Sequence, residues 1–243
     1  MLKYELIEQD IQRKIEEGIY KPNDQLPMER EMCEEYGVSK ITVKRAMDAL
    51  VSKGLILKRR GSGSFVQDID IRDGRGAFGS VSGEVGGFTV DMESTGRQIS
   101  SIVHLFEVVI PPEKVVEQLK ISADTFTYHI LRTRCLDGVP AATEETWMPI
   151  DVIPGLKLEH LQGSIYSFIR DELGHKVHSA HRTLRARMPD AQVQSFLKLE
   201  NSVPVFEVEQ ICCLDDRRIF EYSVTEHPGD KYEFFTVSFN RNV

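Results

Sequence analysis

The sequence has no run of about 18 apolar residues, the length a helix needs to cross a bilayer, so a helical membrane protein is excluded. Its opening, Met1-Leu2-Lys3-Tyr4-Glu5, lacks the apolar core of a secretory signal, and a cytoplasmic location is expected. Cysteine is scarce. Cys33, Cys135, Cys212 and Cys213 form no CxxC pair and no metal-type spacing, which excludes a disulfide framework and a zinc ribbon. Reduced, incidental thiols are expected, and no metal and no cofactor is implied. Basic charge is also short: 30 Lys+Arg face 38 Asp+Glu, a formal net charge of −8. Spread evenly, that balance would argue against a nucleic-acid partner, because basic charge is the usual footprint of phosphate binding. What is present is a chain of 243 residues, 41% hydrophobic, enough for a real core and long enough for two ordinary domains.

The charge is not spread evenly. Residues 1–36 carry 5 basic and 10 acidic side chains, whereas residues 37–66 carry seven basic ones (Lys40, Lys44, Arg45, Lys53, Lys58, Arg59, Arg60) and one acid, Asp48. A local net charge of +6 is what a phosphate backbone would feel through a short screening length. Residues 73–88 hold six glycines and two serines, the composition of a linker. The organisation expected is a head over 1–68, a glycine-rich joint over 69–87 and a second domain over 88–243.

The head reads as three helices and a hairpin. Leu6, Ile7, Ile11 and Ile15 recur at helical spacing until Gly18. Pro27 is placed to open a second helix, where its missing N–H costs nothing, and Gly37 ends it. Ser39 is a plausible cap for a third helix, in which Val43, Ala46, Met47 and Leu50 form one buried stripe. Two short apolar runs around Arg59-Arg60-Gly61-Ser62-Gly63 make a small wing. This is the pattern of a winged helix-turn-helix. Lys40 and Lys44, four apart, share a face of the third helix, with Thr42 and Arg45 beside it. Such a helix fits the major groove, where Lys or Arg reads guanine. The tip residues Arg60, Gly61 and Gly63 suit close approach to the backbone or minor groove.

The second segment alternates hairpins and helices. Asp137-Gly138 between two strand-like runs is a strong turn signal, Ser164 caps a helix carrying Ile165, Phe168 and Ile169, and Asp215-Asp216 separates two further strands. The expected class is therefore α+β around an antiparallel sheet.

The runs Leu26-Pro27-Met28-Glu29-Arg30-Glu31, Tyr36-Gly37-Val38-Ser39-Lys40-Ile41-Thr42-Val43-Lys44 and Gly61-Ser62-Gly63-Ser64-Phe65-Val66 resemble the GntR family of bacterial transcription regulators. The resemblance implies that Arg30 and Lys40 contact bases, and that Lys44, Thr42 and the wing glycines contact the backbone or groove. Met28 stands where a serine is usual, and Lys40 and Lys44 where arginines are usual. Lysine keeps the charge but loses the planar two-point fork.

From about residue 88 onward the chain resembles the UTRA effector domain of the HutC subfamily, whose fold is similar to chorismate lyase. The residues that carry this are Gly87-Phe88-Thr89, Arg132-Thr133-Arg134, Asp137-Gly138, Glu144, Met148-Pro149, Gly163-Ser164-Ile165-Tyr166, Glu221-Tyr222-Ser223 and Gly229-Asp230-Lys231-Tyr232. Arg132 and Arg134, two apart on a strand, point to one face and can clamp an anion. Ser164 and the helix start beside it, with the Thr89 hydroxyl, add to an anion site. Glu144 and Glu221 can accept hydrogen bonds from sugar hydroxyls, while Phe88, Tyr166, His227 and Tyr232 are candidate contacts or walls. Relatives of this domain bind phosphosugars or other small metabolites, and a phosphosugar is expected here.

The expected function is a ligand-responsive repressor that binds a palindromic DNA operator as a homodimer, because one helix reads too few base pairs. Two alternatives stay open at this point. One is a lyase-type or hydrolytic enzyme on the chorismate-lyase-like domain, although no nucleophile elbow or HExxH motif supports it. The other is a metal- or redox-responsive regulator using His175, His178 and His181 or Cys212-Cys213. The run Gly74-Arg75-Gly76-Ala77-Phe78-Gly79 matches GxGxxG but lacks the apolar helix of a dinucleotide site. Trp147 is expected in the core.

Overall fold

The computed structural model describes residues 2–59, 61–68, 88, 89, 92, 96–200 and 203–233. The expected joint over 69–87 with its glycine run, Arg60 at the wing tip, and the expected last strand beyond Glu233 lie outside the described residues. The chain divides into two compact units.

The head consists of α1 (Lys3–Glu16), α2 (Glu29–Tyr36), α3 (Lys40–Ser52), β1 (Ile56–Arg59) and β2 (Gly63–Val66). In α1 the buried apolar positions are Ile7 and Ile11, with Ile15 packed at their edge, while Leu6 is 52% exposed. The stripe runs in steps of four from Ile7, and Leu6 lies about 100° off it. α2 starts two residues later than the proline predicts. The Glu31 carboxylate accepts the Met28 N–H at 2.7 Å, so Met28 is the cap and Pro27 precedes it. Gly37, at φ +61°, ends α2 in the left-handed conformation that lets the chain turn directly into α3. The Ser39 hydroxyl accepts the Thr42 N–H at 3.4 Å as the cap of α3. Val43, Ala46, Met47 and Leu50 are each no more than 1% exposed and meet Ile7, Ile11, Leu26 and Met32 in one core. The wing pairs Leu57 with Phe65 in antiparallel register.

The second unit is built on a six-stranded antiparallel sheet in the order β3-β4-β5-β8-β7-β6. The strands are β3 (Ile99–Val109), β4 (Thr127–Leu136), β5 (Val139–Pro149), β6 (Val177–Arg187), β7 (Val205–Leu214) and β8 (Ile219–Pro228). Asp137 and Gly138 both take positive φ, +51° and +78°, as a two-residue hairpin of this hand requires. The helices of the unit among the described residues include α4 (Glu113–Leu119), α5 (Leu158–Gln162), α6 (Ile165–Asp171) and α7 (Ala191–Leu197).

Both faces of the sheet are covered. On one, Tyr128, Ile130, Met148 and Cys212 pack under Leu161 of α5 and Ile165, Phe168 and Ile169 of α6. On the other, Val115 and Leu119 of α4 pack on Trp147 and Tyr222, and Phe196 of α7 stacks on His104 at 3.7 Å. Trp147 is a core residue of that second face, stacked on His129 at 4.7 Å. The histidine trio is not assembled. β6 begins after His175, whose ring nitrogen lies 3.2 Å from the Arg218 guanidinium. Among the described residues no group of three or more His, Cys, Asp or Glu side chains is arranged to hold a metal ion.

Candidate nucleic-acid interface and effector site

α3 turns its buried stripe inward and its basic residues outward. Arg30, at the start of α2, has a side chain 91% exposed, its Nε 3.4 Å from Glu34. The Lys40 side chain is 78% exposed, with Nζ 3.7 Å from Glu29, and Lys44 is exposed. These long, loosely held cations can reach phosphates or base edges. Ser39 and Thr42 are engaged with each other, hydroxyl to hydroxyl at 3.0 Å, and first of all cap the helix. Arg45 is also exposed, and its guanidinium lies over the Tyr4 ring, 4.0 Å from the centroid, in a cation–π contact with the start of α1.

The basic patch is smaller in effect than its sequence count. Lys53 pairs with Glu8 at 2.6 Å and Lys58 with Asp48 at 2.5 Å, both acids on neighbouring helices. Arg59 sits over Phe65 at 5.1 Å. At the wing tip Gly61 and Gly63 have φ of +76° and +113°. A side-chain carbon at Gly63 would come 2.7 Å from Gln25 Nε2, which donates to the Ser62 carbonyl at 2.8 Å. Gln25 therefore holds the wing tip, a role that its sequence position between two domains of pattern gave no sign of. A groove of about 430 Å³ runs between Met28 and Glu29 on one side and Lys58, Arg59, Gly61 and Gly63 on the other.

In the second unit the predicted residues converge. Strand alternation sends Arg132 and Arg134 of β4, Glu144 of β5 and Glu221 of β8 to one buried sheet face. Arg132 Nε donates to Glu144 Oε2 at 2.6 Å and Nη1 donates to the Leu161 carbonyl at 2.9 Å. Arg134 donates from Nη1 to the Gly163 carbonyl and from Nη2 to the Thr89 hydroxyl, both at 2.9 Å, and its guanidinium lies 5.1 Å from the Phe88 ring centroid. Next to Gly163, the Ser164 hydroxyl accepts the Ser167 N–H at 3.2 Å and caps α6. Tyr166 places its hydroxyl 3.3 Å from Cys212 Sγ. His227 stacks on Tyr232 at 3.9 Å.

The two arginines share the face as expected but differ in their partners. Arg132 is neutralised by Glu144, a buried pair held by Coulombic attraction and a hydrogen bond against the cost of desolvation. Arg134 is 1% exposed, has no carboxylate partner among the described residues, and its Nε is buried without a hydrogen bond. Burial, and then the like charge of Arg132, lower its pKa to about 10, so it stays cationic at neutral pH. A buried cation held by carbonyl and hydroxyl oxygens and an aromatic face is chemically able to pair with an anion.

The two carboxylates are driven apart. Burial raises the Glu144 pKa, but the charges of Arg132 and Arg134 outweigh it and hold that carboxyl below its ordinary value. Burial raises Glu221 as well, and the hydrogen bonds from Ser223, Gln210 and Tyr166 do not reverse it. Burial also pulls His227 down to about 4, so its ring is neutral at neutral pH, with Nδ1 buried and unbonded. Gln210 and Ser223, which donate to Glu221 at 3.0 and 2.7 Å, were not singled out from the sequence. The signal was the hairpin register, which sets Gln210 opposite Ser223 and Cys212 opposite Glu221.

Comparison with known proteins bears on both units. Residues 3–66 match the family described as bacterial regulatory proteins, gntR family, and residues 94–233 match the UTRA domain. The chain is 35% identical over 241 residues to the HTH-type transcriptional regulator GmuR of Bacillus subtilis, covering 99% of this chain and 100% of that one. It is 28% identical over 235 residues to the mannosyl-D-glycerate transport/metabolism system repressor MngR of Escherichia coli, covering 97% and 95%. The crystal structure of YydK from Bacillus subtilis superposes with a TM-score of 0.80 at 28% identity, covering 99% of this chain and 100% of that one.

Proposed function

This chain belongs to the GntR family of bacterial transcription regulators, in the branch whose second domain is a UTRA domain, and from that premise we propose that it is a repressor released from its operator by an anionic sugar derivative, a phosphosugar. It is a ligand-responsive, DNA-binding regulator. Residues 1–68 are taken as the reading head, 69–87 as the joint and 88–243 as the effector domain. Two heads in a homodimer meet a palindrome one helical turn apart. The work is done in the cytoplasm, where the DNA is.

One observation carries the choice of effector: Arg134, buried and cationic, with no carboxylate partner among the described residues. An anion seated there would remove the cost of an uncompensated buried charge. Thr89 and Ser164 supply hydroxyls beside it, Glu144 and Glu221 face the hydroxyl-bearing part of a sugar, and Phe88, Tyr166, His227 and Tyr232 supply ring faces. The name of the relative MngR, which couples it to a mannosyl-D-glycerate system, supports a sugar-derived ligand. The regulator names of the relatives GmuR and MngR support a regulator and not an enzyme.

The effector acts only by binding one arrangement of the heads better than another. The test is a thermal-shift screen of the full-length protein against hexose and hexosamine phosphates, beside the same sugars without phosphate. A hit is then titrated against the complex with DNA enriched from a random pool. Phosphorylated sugars that raise the melting temperature and release the DNA support the reading. Equal shifts from the unphosphorylated sugars would remove the anion from it.

A further inference from the structure

Ile41 is 81% exposed, whereas the other exposed large apolar side chains among the described residues are 45–58% exposed. It is the second residue of α3. Single exposed aliphatic residues are ordinary on protein surfaces, so exposure alone decides nothing. Position decides. At about 100° per residue, Ile41 lies within about 10° of the direction opposite the mean of the stripe Val43, Ala46, Met47 and Leu50. Lys44 and Arg45 flank it, about 60° to one side and 40° to the other. The centre of the outward face of this helix is thus an aliphatic group between cations. A branched aliphatic side chain there is outside the head's core, and isoleucine is a weaker helix former than the lysine or glutamate a solvated face would carry.

We propose that Ile41 is a specificity-determining residue that lies against the 5-methyl group of a thymine in the major groove. This rests on the reading of α3 as the DNA-reading helix. The thymine methyl is the one apolar group on the major-groove base edges. A side chain fixed at the centre of the helix face, with Lys40 and Lys44 on one side and Arg45 on the other, meets the floor of the groove while the cations meet its phosphate walls and guanine edges. Isoleucine has no donor or acceptor with which to read any other base edge. The contact discriminates thymine from cytosine by a methyl group and not by a hydrogen bond.

The experiment uses the full-length protein. A random-sequence duplex pool is enriched on it, and each thymine of the enriched site is replaced in turn by deoxyuridine, which lacks only the 5-methyl. One replacement per half-site is expected to weaken wild-type binding about fourfold, the value of one buried methyl group. Ile41→Ala is expected to be indifferent to that same replacement, and to keep the wild-type melting temperature and the wild-type affinity for a non-specific duplex. Wild-type indifference to every deoxyuridine would overturn the proposal, as would an Ile41→Ala protein as sensitive as wild type. A pool that yields no enriched site would overturn the DNA-reading assignment together with it. An enriched site with no methyl effect removes Ile41 alone.

Discussion

Arg30 and Arg134 are the same residue used in opposite ways. The Arg30 side chain is 91% exposed on the head, and Arg134 is 1% exposed in the effector domain. The head meets a large polyanion and needs many weak, salt-screened contacts that form and break quickly, so its useful cations stand in water. Lys53 and Lys58, which count in the basic patch, are already paired to Glu8 and Asp48. The effector domain meets one small ligand and needs selectivity. There the charges are desolvated, each one commits several kcal/mol, and a single unpaired guanidinium is a signal.

That contrast can be broken at four places. The largest effect is expected for Arg132→Met. It leaves Glu144 buried without its cation and should cost about 3–5 kcal/mol of effector-domain stability in urea unfolding. Near wild-type stability would mean that Arg134 takes over Glu144, and would end the distinction between the two arginines.

Next comes His227. Its folded pKa of about 4 lies below the ordinary value of 6.5, so between those two pH values the unfolded chain binds a proton that the folded chain does not. Stability is therefore complete above pH 6.5 and is lost as the pH falls towards 4, by up to about 3 kcal/mol relative to His227→Gln over the same range. Parallel pH profiles for the two proteins would show the ring to be solvated.

Arg134→Met should act in two directions. Removing an uncompensated buried charge should raise the stability of the free protein by about 1–3 kcal/mol, while binding of the anionic effector, measured by calorimetry, is lost and DNA binding is kept. A destabilised variant would show that the guanidinium is satisfied from within. The smallest effect belongs to the head. Lys40→Ala should cost about 1 kcal/mol at one base pair of each half-site, the low end for a charged base contact because lysine lacks the two-point fork. An equal loss on specific and non-specific duplexes would reassign it to a phosphate.

Most of the secondary structure was legible in the sequence because its signals are local. Gly37, Ser39 and the stripe from Val43 to Leu50 place α3, and Asp137-Gly138 places the β4–β5 hairpin. The start of α2 was misread because Pro27 and Met28 are both acceptable there, and the Glu31 carboxylate chose Met28. The contact of Arg45 with Tyr4 was not legible, because nothing in its neighbourhood along the chain announces a partner 41 positions earlier. Ile41 carries no signal of its own in the sequence, because a single exposed aliphatic residue is ordinary on a surface and only its placement opposite the buried stripe sets it apart.

By itself the sequence determined which segments are helix, wing and strand, where charge concentrates, and that Arg132, Arg134 and Glu144 are set on strands able to share a face. These follow from spacing, capping and turn chemistry, which act over a few residues. Only the tertiary structure decided which charges are cancelled. Glu8 meets Lys53 across helices, and Glu144 takes Arg132, while Arg134 is held by the Gly163 carbonyl and the Thr89 hydroxyl with only its Nε unbonded. The strength of a charge depends on its burial and on its nearest opposite, and both are set by what the fold brings alongside it.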